Sequence, residues 1–271
     1  MPVMDFFTKA ATKMAQPDLD RHLVLAAQEG DIEKMKTLIK QGASIDGRDA
    51  SEDTPLIGAA REDKLEAVKF LLKQGADPTL QNGIGKTALL IALCDHVAEE
   101  ISLTLVKTGK ALDAVDMHGN PAAFYAAQYG HPKVLEALAE GGADMAKPGK
   151  YGTTPLMRAI EVGQIDAGRT LIGEKLVPAV GIDMQDNNGS TVLALAVENK
   201  RDIFVMSFIA LGANADLKDK QGRTPYSIAE ETGQTAICRA LEEQRAKKYA
   251  VAASATVKTM KTISLRTGAT P

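Results

Sequence analysis

The sequence predicts an all-α solenoid built from stacked helix–turn–helix units that β-turn or hairpin loops connect. Three observations predict this fold class. A Thr-Pro-Leu triplet or a close variant recurs along the chain, a Gly-Ala pair recurs 21 residues after it, and each interval holds an Ala-rich and then a Leu-rich segment. Because one such unit cannot bury its own apolar side chains, the units must stack and share a core.

The triplet defines the register of the repeat. Successive intervals of 33, 67, 37 and 33 residues separate the threonines Thr54, Thr87, Thr154, Thr191 and Thr224. The interval of 67 residues holds one more unit, in which Pro121-Ala122-Ala123 replaces the triplet. Counting back 33 residues from Thr54 reaches Arg21-His22-Leu23, a first unit without its leading turn. About seven units are therefore predicted.

Each unit contains two predicted helices. Threonine caps the free amides at the start of the first helix, and proline suits its first turn. This helix is short and rich in alanine, and a glycine such as Gly30 ends it where a left-handed residue is needed. The second helix carries apolar residues at helical spacing, for example Val68, Leu71 and Leu72. A polar turn such as 186–189 then leads to the next threonine.

Composition and charge argue against several classes of function. The chain has 271 residues and a net charge of -3, too close to neutral to favour nucleic acid or an anionic membrane. No segment approaches the roughly 18 apolar residues of a membrane span, and the first 16 residues lack the pattern of a secretion signal. Two cysteines, Cys94 and Cys238, are too few for a disulfide framework or a paired-thiol metal site. We therefore expect a cytoplasmic protein that binds neither nucleic acid nor membrane.

No catalytic or cofactor-binding motif is predicted. Residues 83–87 resemble the end of a phosphate-binding loop, but Leu80 stands where that loop needs a glycine. The histidines lack the three- or four-residue spacing of a helical metal site, since they lie at His22, His96, His118 and His131. An enzyme that uses Cys94, Asp95 and His96 is an alternative, which the reactivity of the Cys94 thiol would test. We expect no enzymatic activity, no cofactor and no metal.

The recurring motifs resemble those of the ankyrin-repeat family over residues 19–241. The resemblance is carried most clearly by Tyr151-Gly-Thr-Thr-Pro-Leu and by Lys220-Gln-Gly-Arg-Thr-Pro. It implies an ankyrin-repeat solenoid, a fold whose units bind other proteins. The same resemblance implies a concave surface formed by the turn tips and the exposed edge of the first helices.

The sequence departs from the family pattern in four places. The histidine that usually follows the triplet is absent, and we expect apolar packing instead at Ile57, Leu90, Phe124, Met157, Ala194 and Ser227. Glu52 replaces the usual turn glycine before Thr54. One extra residue lies between Ala92 and Gly109, and four extra residues near 175–180 are expected to lengthen the loop after a second helix.

The resemblance also implies which residues contact a partner. They flank the turn glycine or precede the glycine that ends the first helix, and we assign them to Ile84, Lys86, Met117, His118, Tyr129, Lys150, Tyr151, Glu161, Asn188 and Arg223. The wider set includes Asp53, Asn120, Thr153 and Ser190. Tyrosine and methionine are enriched at interfaces, and exposed apolar clusters mark partner sites. The sequence therefore predicts a monomer that binds an unidentified protein without catalysis.

Three segments organise the chain. Residues 1–18 are predicted to form an N-terminal capping helix, residues 19–245 the repeat array, and residues 246–271 a basic tail rich in Ser, Thr and Ala without an acidic residue. The tail is a solvated extension, a contact segment or a C-terminal export signal. The last option belongs to an alternative function, a bacterial effector that binds a host protein and is exported without a cleaved N-terminal signal. A structural scaffold or inhibitor subunit is a further alternative.

Overall fold

A computed structural model describes residues 15–94, 99–173, 176, 180–248 and 250. In this part of the chain the two isolated antiparallel bridges are Val115–Pro121 and Gln185–Thr191, and the rest of the regular structure is helical. The helices in chain order are α1 (Gln16–Glu29), α2 (Ile32–Gln41), α3 (Pro55–Arg61), α4 (Leu65–Lys73), α5 (Ala88–Cys94), α6 (Glu99–Val106), α7 (Ala122–Tyr129), α8 (Pro132–Glu140), α9 (Pro155–Val162), α10 (Ile165–Leu171), α11 (Val192–Glu198), α12 (Asp202–Ala210), α13 (Pro225–Glu231) and α14 (235–248). The predicted all-α fold class is confirmed.

The described residues fall into two compact units. The first comprises those within 1–150, 154–156 and 164–180, and the second those within 151–153, 157–163 and 181–271. In the first unit α1, α3, α5 and α7 pack in succession, and α4, α6, α8 and α10 form a second row. In the second unit α11 packs against α12 and α13. The larger buried side chains include Leu23, Leu71, Ile91 and Leu135 in the first unit, and Phe208 and Leu241 in the second.

The predicted helix signals operate as expected. The hydroxyls of Thr54, Thr87 and Thr191 accept the amide of the residue three positions later at 3.2–3.3 Å. These bonds satisfy amides that have no partner inside the helix. At the other end of the first helices, Gly30 and Gly130 adopt left-handed backbone with φ of 75° and 74°. Local signals therefore fix the start of α3, α5 and α11 and the end of α1 and α7.

The replacement of the family histidine by apolar packing is confirmed at five of six positions. Ile57, Leu90, Phe124, Met157 and Ala194 are buried. Ser227 differs, because its hydroxyl accepts the Thr224 amide at 2.9 Å while its own amide donates to the Thr224 hydroxyl at 3.2 Å. Glu52 takes the conformation of the glycine that it replaces, with φ of 60°.

Several predicted features lie outside the described residues. These are residues 1–14 of the capping segment, residues 249 and 251–271 of the tail, and parts of both insertions at 95–98, 174–175 and 177–179. Helix α1 begins at Gln16 with Pro17 in its first turn. Among the helices that are described, none combines the length and the apolar character that crossing a membrane requires.

Candidate functional site

An Asx side chain shapes five of the turns that precede a first helix. Its Oδ1 atom accepts the amides two and four residues later at 2.7–3.2 Å, in turns led by Asp49, Asn82, Asp116, Asp186 and Asp219. Asp and Asn favour such turns because their short side chains reach the backbone just ahead of them. The three residues between the Asx residue and the second bonded amide form the turn tip, for example 117–119 after Asp116, and these bonds restrain their backbone.

Neighbouring turn tips are joined through their backbones. In the first unit the Met117 amide donates to the Ile84 carbonyl at 3.4 Å. In the second unit the Asn187 amide donates to the Tyr151 carbonyl at 2.7 Å, and the Lys220 amide to the Asn188 carbonyl at 2.8 Å. Predicted contact residues from successive repeats are therefore adjacent within each unit.

The turn at 149–152 departs from this pattern. Gly149 stands where the other turns have Asp or Asn, so no side chain closes the turn from that position. Instead the Asn120 side chain of the preceding turn accepts the Lys150 amide at 2.7 Å. Tyr151 adopts left-handed backbone with φ of 62°, which is uncommon for an aromatic residue. Tyr151 is 64% exposed.

The first unit brings together four of the predicted contact residues. Met117 is 68% exposed at a turn tip, and Ile84, His118 and Tyr129 are also exposed. Lys86 is half-buried, and its ammonium nitrogen lies 5.3 Å from the centre of the Tyr125 ring. We call Ile84, Met117, His118 and Tyr129 the turn-tip cluster. Lys150, also predicted, is exposed in the same unit, whereas Tyr151 belongs to the second unit.

Tyr125 supports this cluster and was not predicted from the sequence. Its ring is buried and stacks on that of Tyr129, with centroids 6.3 Å apart and planes 8° from parallel. Its hydroxyl donates to Asp116 and accepts from the Asn120 side-chain amide at 3.3 Å. A tyrosine beside the predicted contact positions was the available signal, but the Ala-rich pattern of the first helix gave no reason to expect a polar bond there.

Burial and hydrogen bonding change the pKa values of both Tyr125 and Asp116. Burial, followed by the hydrogen bond to Asp116, raises the pKa of the Tyr125 hydroxyl far above its usual value. Burial alone would raise the pKa of the Asp116 carboxyl, but donation from Tyr125 and from the amides of Asn120 and His118 outweighs it, so that this pKa is lowered. The pair is therefore a neutral hydroxyl held against a carboxylate.

The second unit brings together Glu161, Asn188 and Arg223. They line an open depression of about 500 Å³ whose other polar walls include Asp186 and Glu198. Arg223 donates from Nε to Asp219 Oδ2 at 2.7 Å and from Nη1 to Glu198 Oε1 at 3.4 Å. Burial raises the pKa of Glu161, although Arg158, whose Nη1 is 3.2 Å away, works in the opposite direction. The lining offers hydrogen-bonding groups and an excess of carboxylates.

Four residues of the wider predicted set are not on the surface. Asp53, Asn120, Thr153 and Ser190, each directly before the capping position, are buried. At Asp53, Asn120 and Ser190 the Asx side chain draws the backbone into the turn, as when the Ser190 amide donates to Asp186 at 2.7 Å. The Asp53 carboxylate also accepts hydrogen bonds from the side chains of Arg61 at 2.6 Å and Asn82 at 2.8 Å, so it is engaged inside the fold. Their assignment as surface contacts is wrong.

Among the described residues, no group of three His, Cys, Asp or Glu side chains is placed to hold a metal ion. Of the alternative Cys94, Asp95 and His96 site, the last two residues lie outside the described part of the chain. The polar groups that are described around the turn tips hold backbone and side chains in place. What the arrangement offers chemically is a set of fixed apolar, aromatic and cationic side chains for contact.

The chain has relatives among known proteins. The transient receptor potential cation channel subfamily A member 1 homolog of Caenorhabditis elegans is 30% identical over 236 residues, which are 87% of this chain and 16% of that protein. Ankyrin repeat protein OPG189 of Variola virus is 30% identical over 156 residues, 54% of this chain and 27% of that protein. The Drosophila melanogaster ankyrin repeat and KH domain-containing protein mask is 27% identical over 115 residues, which are 41% of this chain and 3% of that protein. The chain thus spans well under half the length of each of these relatives.

A family model described as ankyrin repeats, in three copies, matches residues 23–116, 59–149 and 99–179. These overlapping matches cover residues 23–179, more than half of the chain. They coincide with the threonine caps, left-handed helix ends and Asx turns of the first unit. The chain belongs to the ankyrin-repeat family.

Proposed function

We propose that the chain is a non-catalytic module that binds a partner protein through its turn tips and the adjacent ends of its first helices. Ankyrin repeats are generally protein-interaction modules, and the family is generally non-enzymatic. In this family the same elements line the concave face.

The observation that carries the proposal is the turn-tip cluster. Met117 and Ile84 are exposed although they are apolar, and the Asx bonds of Asp116 and Asn82 hold them on rigid turns. Tyr129 is held in turn by its stacking on buried Tyr125. Contacts that are ordered before binding lose little conformational entropy on association, which favours their use as anchors.

The test is an affinity capture from lysate with Tyr129→Ala, Tyr151→Ala and the double variant, with bound proteins identified by mass spectrometry. The affinity of the captured partner is then measured with purified protein. Each single change should weaken binding by about 1–3 kcal/mol and leave the melting temperature nearly unchanged. Because Tyr129 and Tyr151 lie in different units, a loss of binding confined to one single variant would show that the partner contacts that unit alone.

Leu25→Ala is the matched control, since Leu25 on α1 is as exposed as Tyr129 and was not predicted to contact a partner. Unchanged affinity together with a lowered melting temperature in the tyrosine variants would show that these rings serve packing only. Equal loss of binding in Leu25→Ala would show that the effect is not specific to the turn tips.

Cytoplasmic location and a monomeric state are part of the same proposal. The location rests on the two cysteines, since so few unpaired thiols fit a reducing compartment. Light scattering of the purified chain tests the monomer. Export without a cleaved signal is tested by deleting residues 246–271, since lost export with retained folding would support it.

A further inference from the structure

Helix α14 continues past the point where four other second helices end. A left-handed glycine follows α2, α4, α8 and α12 within two residues, with φ between 81° and 107° at Gly42, Gly75, Gly142 and Gly212. The repeat register places Arg245 at the same position, 33 residues after Gly212, and α14 runs on to residue 248. The chain therefore adds a helical turn where those units leave the helix.

This added turn changes what an aspartate of the preceding repeat contacts. In three earlier repeats an aspartate at one register position accepts a backbone amide of the next repeat through Oδ1 at 2.7–2.9 Å, namely Asp46, Asp113 and Asp183. The corresponding Asp216 instead forms ion pairs with Arg245 Nε at 3.1 Å and Lys248 Nζ at 3.3 Å. A contact that elsewhere joins two repeats is thus replaced by a group of charged side chains.

A groove of about 340 Å³ lies between the added turn and the end of α12, within the second unit. The buried or half-buried part of its lining is apolar and consists of Ile209, Ala213 and Ala215. The exposed part carries three cations, Arg245, Lys247 and Lys248. The remaining lining residues are Gly212, Asp216 and Gln244, and we call the whole the α14 groove. An apolar floor with a few placed polar groups is typical of ligand sites.

Gln244 gives the α14 groove a fixed hydrogen-bond acceptor. Its side-chain amide donates to the carbonyls of Ile209 at 3.3 Å and Ala213 at 2.9 Å. The Oε1 atom of the same side chain is buried, and no residue in the described part of the chain donates to it. Buried acceptors without a donor are rare in folded proteins. The groove therefore suits a ligand that brings an N–H group.

Positive charge is in excess along the rim of the groove. Arg245 and Lys248 share the one carboxylate of Asp216, and Lys247 adds a third cation. The units that end at a left-handed glycine have no lysine or arginine at the three corresponding positions. Cations in the last turn also suit the helix dipole, but that effect needs neither an apolar floor nor an acceptor. The rim favours a carboxylate, because hydrogen bonds between ionised partners are the strong ones.

We propose that the α14 groove binds an extended acidic segment of a partner protein, in which an apolar side chain lies next to a carboxylate. The apolar side chain packs on Ala213 and Ala215, the carboxylate pairs with Lys247 or Lys248, and a backbone N–H donates to Oε1 of Gln244. A fatty acid offers an apolar chain and a carboxylate but no N–H donor, so a peptide fits better. The groove uses no residue of the turn-tip cluster and does not depend on the partner site proposed there.

NMR titration of the full chain tests the groove with a defined probe, a hexapeptide with blocked ends that alternates leucine and aspartate. We expect the backbone amide signals of Ala213 and Ala215 to shift, with a dissociation constant of about 1 mM or below. The same peptide with asparagine in place of aspartate loses its charges and should bind about tenfold more weakly. N-methylation of its leucine amides removes N–H donors and should weaken binding similarly.

Variants of the protein locate the binding site. Lys247→Glu combined with Lys248→Glu should weaken binding of the hexapeptide about tenfold or more, since the rim then repels carboxylates. Lys200→Glu combined with Lys220→Glu is the matched control, because both lysines are exposed in the second unit and outside the groove. This control makes the same change in net charge and should leave the affinity nearly unchanged. Circular dichroism verifies that both variants are folded.

Four results would overturn the proposal. Unchanged Ala213 and Ala215 signals at about 10 mM hexapeptide would exclude the groove as a peptide site. Equal affinity of the two double variants would show that the rim does not select carboxylates. Tighter binding of octanoate than of the hexapeptide would identify a lipid-like carboxylate as the ligand. Shifts confined to Ile84 and Met117 would place the acidic segment on the turn-tip cluster instead.

Discussion

The hydroxyl of Tyr125 donates a hydrogen bond to Oδ2 of Asp116, nine residues earlier in the chain. The other oxygen of the same carboxylate accepts the amides of His118 and Asn120 at 2.9 and 3.0 Å. One side chain thus shapes the turn that carries Met117, and one hydroxyl ties that turn to the first helix behind it. The exposed cluster depends on a buried polar pair.

Tyr125→Phe removes this tie and should destabilise the fold. The buried carboxylate loses a donor, and a buried hydrogen bond to a charged group contributes about 1.5–3 kcal/mol. Urea unfolding followed by circular dichroism measures the loss. Tyr129→Phe is the control, because its exposed ring keeps its stacking and we expect no comparable change. Equal stability of Tyr125→Phe and the natural protein would show that the hydroxyl bond contributes little.

The stability that Asp116 provides should decline in acid. Burial opposes ionisation of this carboxyl, but its donors lower its pKa in the folded state below the ordinary value. A carboxyl whose folded pKa is depressed stabilises the fold fully above its unfolded pKa of about 3.9 and loses that contribution as the pH falls through the folded pKa.

Asp116→Asn measures this contribution, because Asn82 shows that an amide can close the same kind of turn. The unfolding free energy of both proteins is compared at several values from pH 7 down to pH 3. The advantage of the natural protein should be largest near neutrality and shrink below about pH 4. A constant difference across this range would assign the effect to shape rather than to charge.

Glu52→Gly should stabilise the protein. Glu52 is left-handed at the position where other turns have glycine, and the left-handed conformation costs a residue with a Cβ about 1–2 kcal/mol. Glycine also has more freedom in the unfolded chain, so the expected net gain is about 0.5–1 kcal/mol. Ser51→Gly, one residue earlier and without positive φ, should lower stability instead. A decrease in melting temperature for Glu52→Gly would contradict the strain at this turn.

Gly85→Ala and Gly119→Ala form a matched pair. Both glycines have positive φ, at 74° and 83°. A Cβ at Gly85 would lie 2.8 Å from the Met117 backbone nitrogen, whereas a Cβ at Gly119 would meet nothing within 4 Å. Gly119→Ala should therefore lower the free energy of unfolding by about 1–2 kcal/mol, the cost of left-handed backbone for a residue with a Cβ. Gly85→Ala should lower it clearly more because of the close contact, and chemical denaturation measures both changes. Equal costs would mean that neighbouring turns separate easily.

The sequence alone predicted those features of the fold that depend on residues close together in the chain. The caps of Thr54 and Thr191, the left-handed end at Gly30 and the turn at 186–189 each involve groups within about five positions, so the pattern of residue types specified them. Recurrence of these signals at intervals near 33 residues then determined the repeat, its register and the all-α fold class.

Only the tertiary structure decided which turn residues face solvent and what supports them. Asn120 was predicted as a surface contact, but it is buried, and its side chain accepts the Lys150 amide, 30 residues later. Tyr125 became part of the site because its hydroxyl meets Asp116 across the turn. Burial is set by the neighbouring repeat, about one repeat length away in the sequence, and local residue patterns cannot encode such a contact.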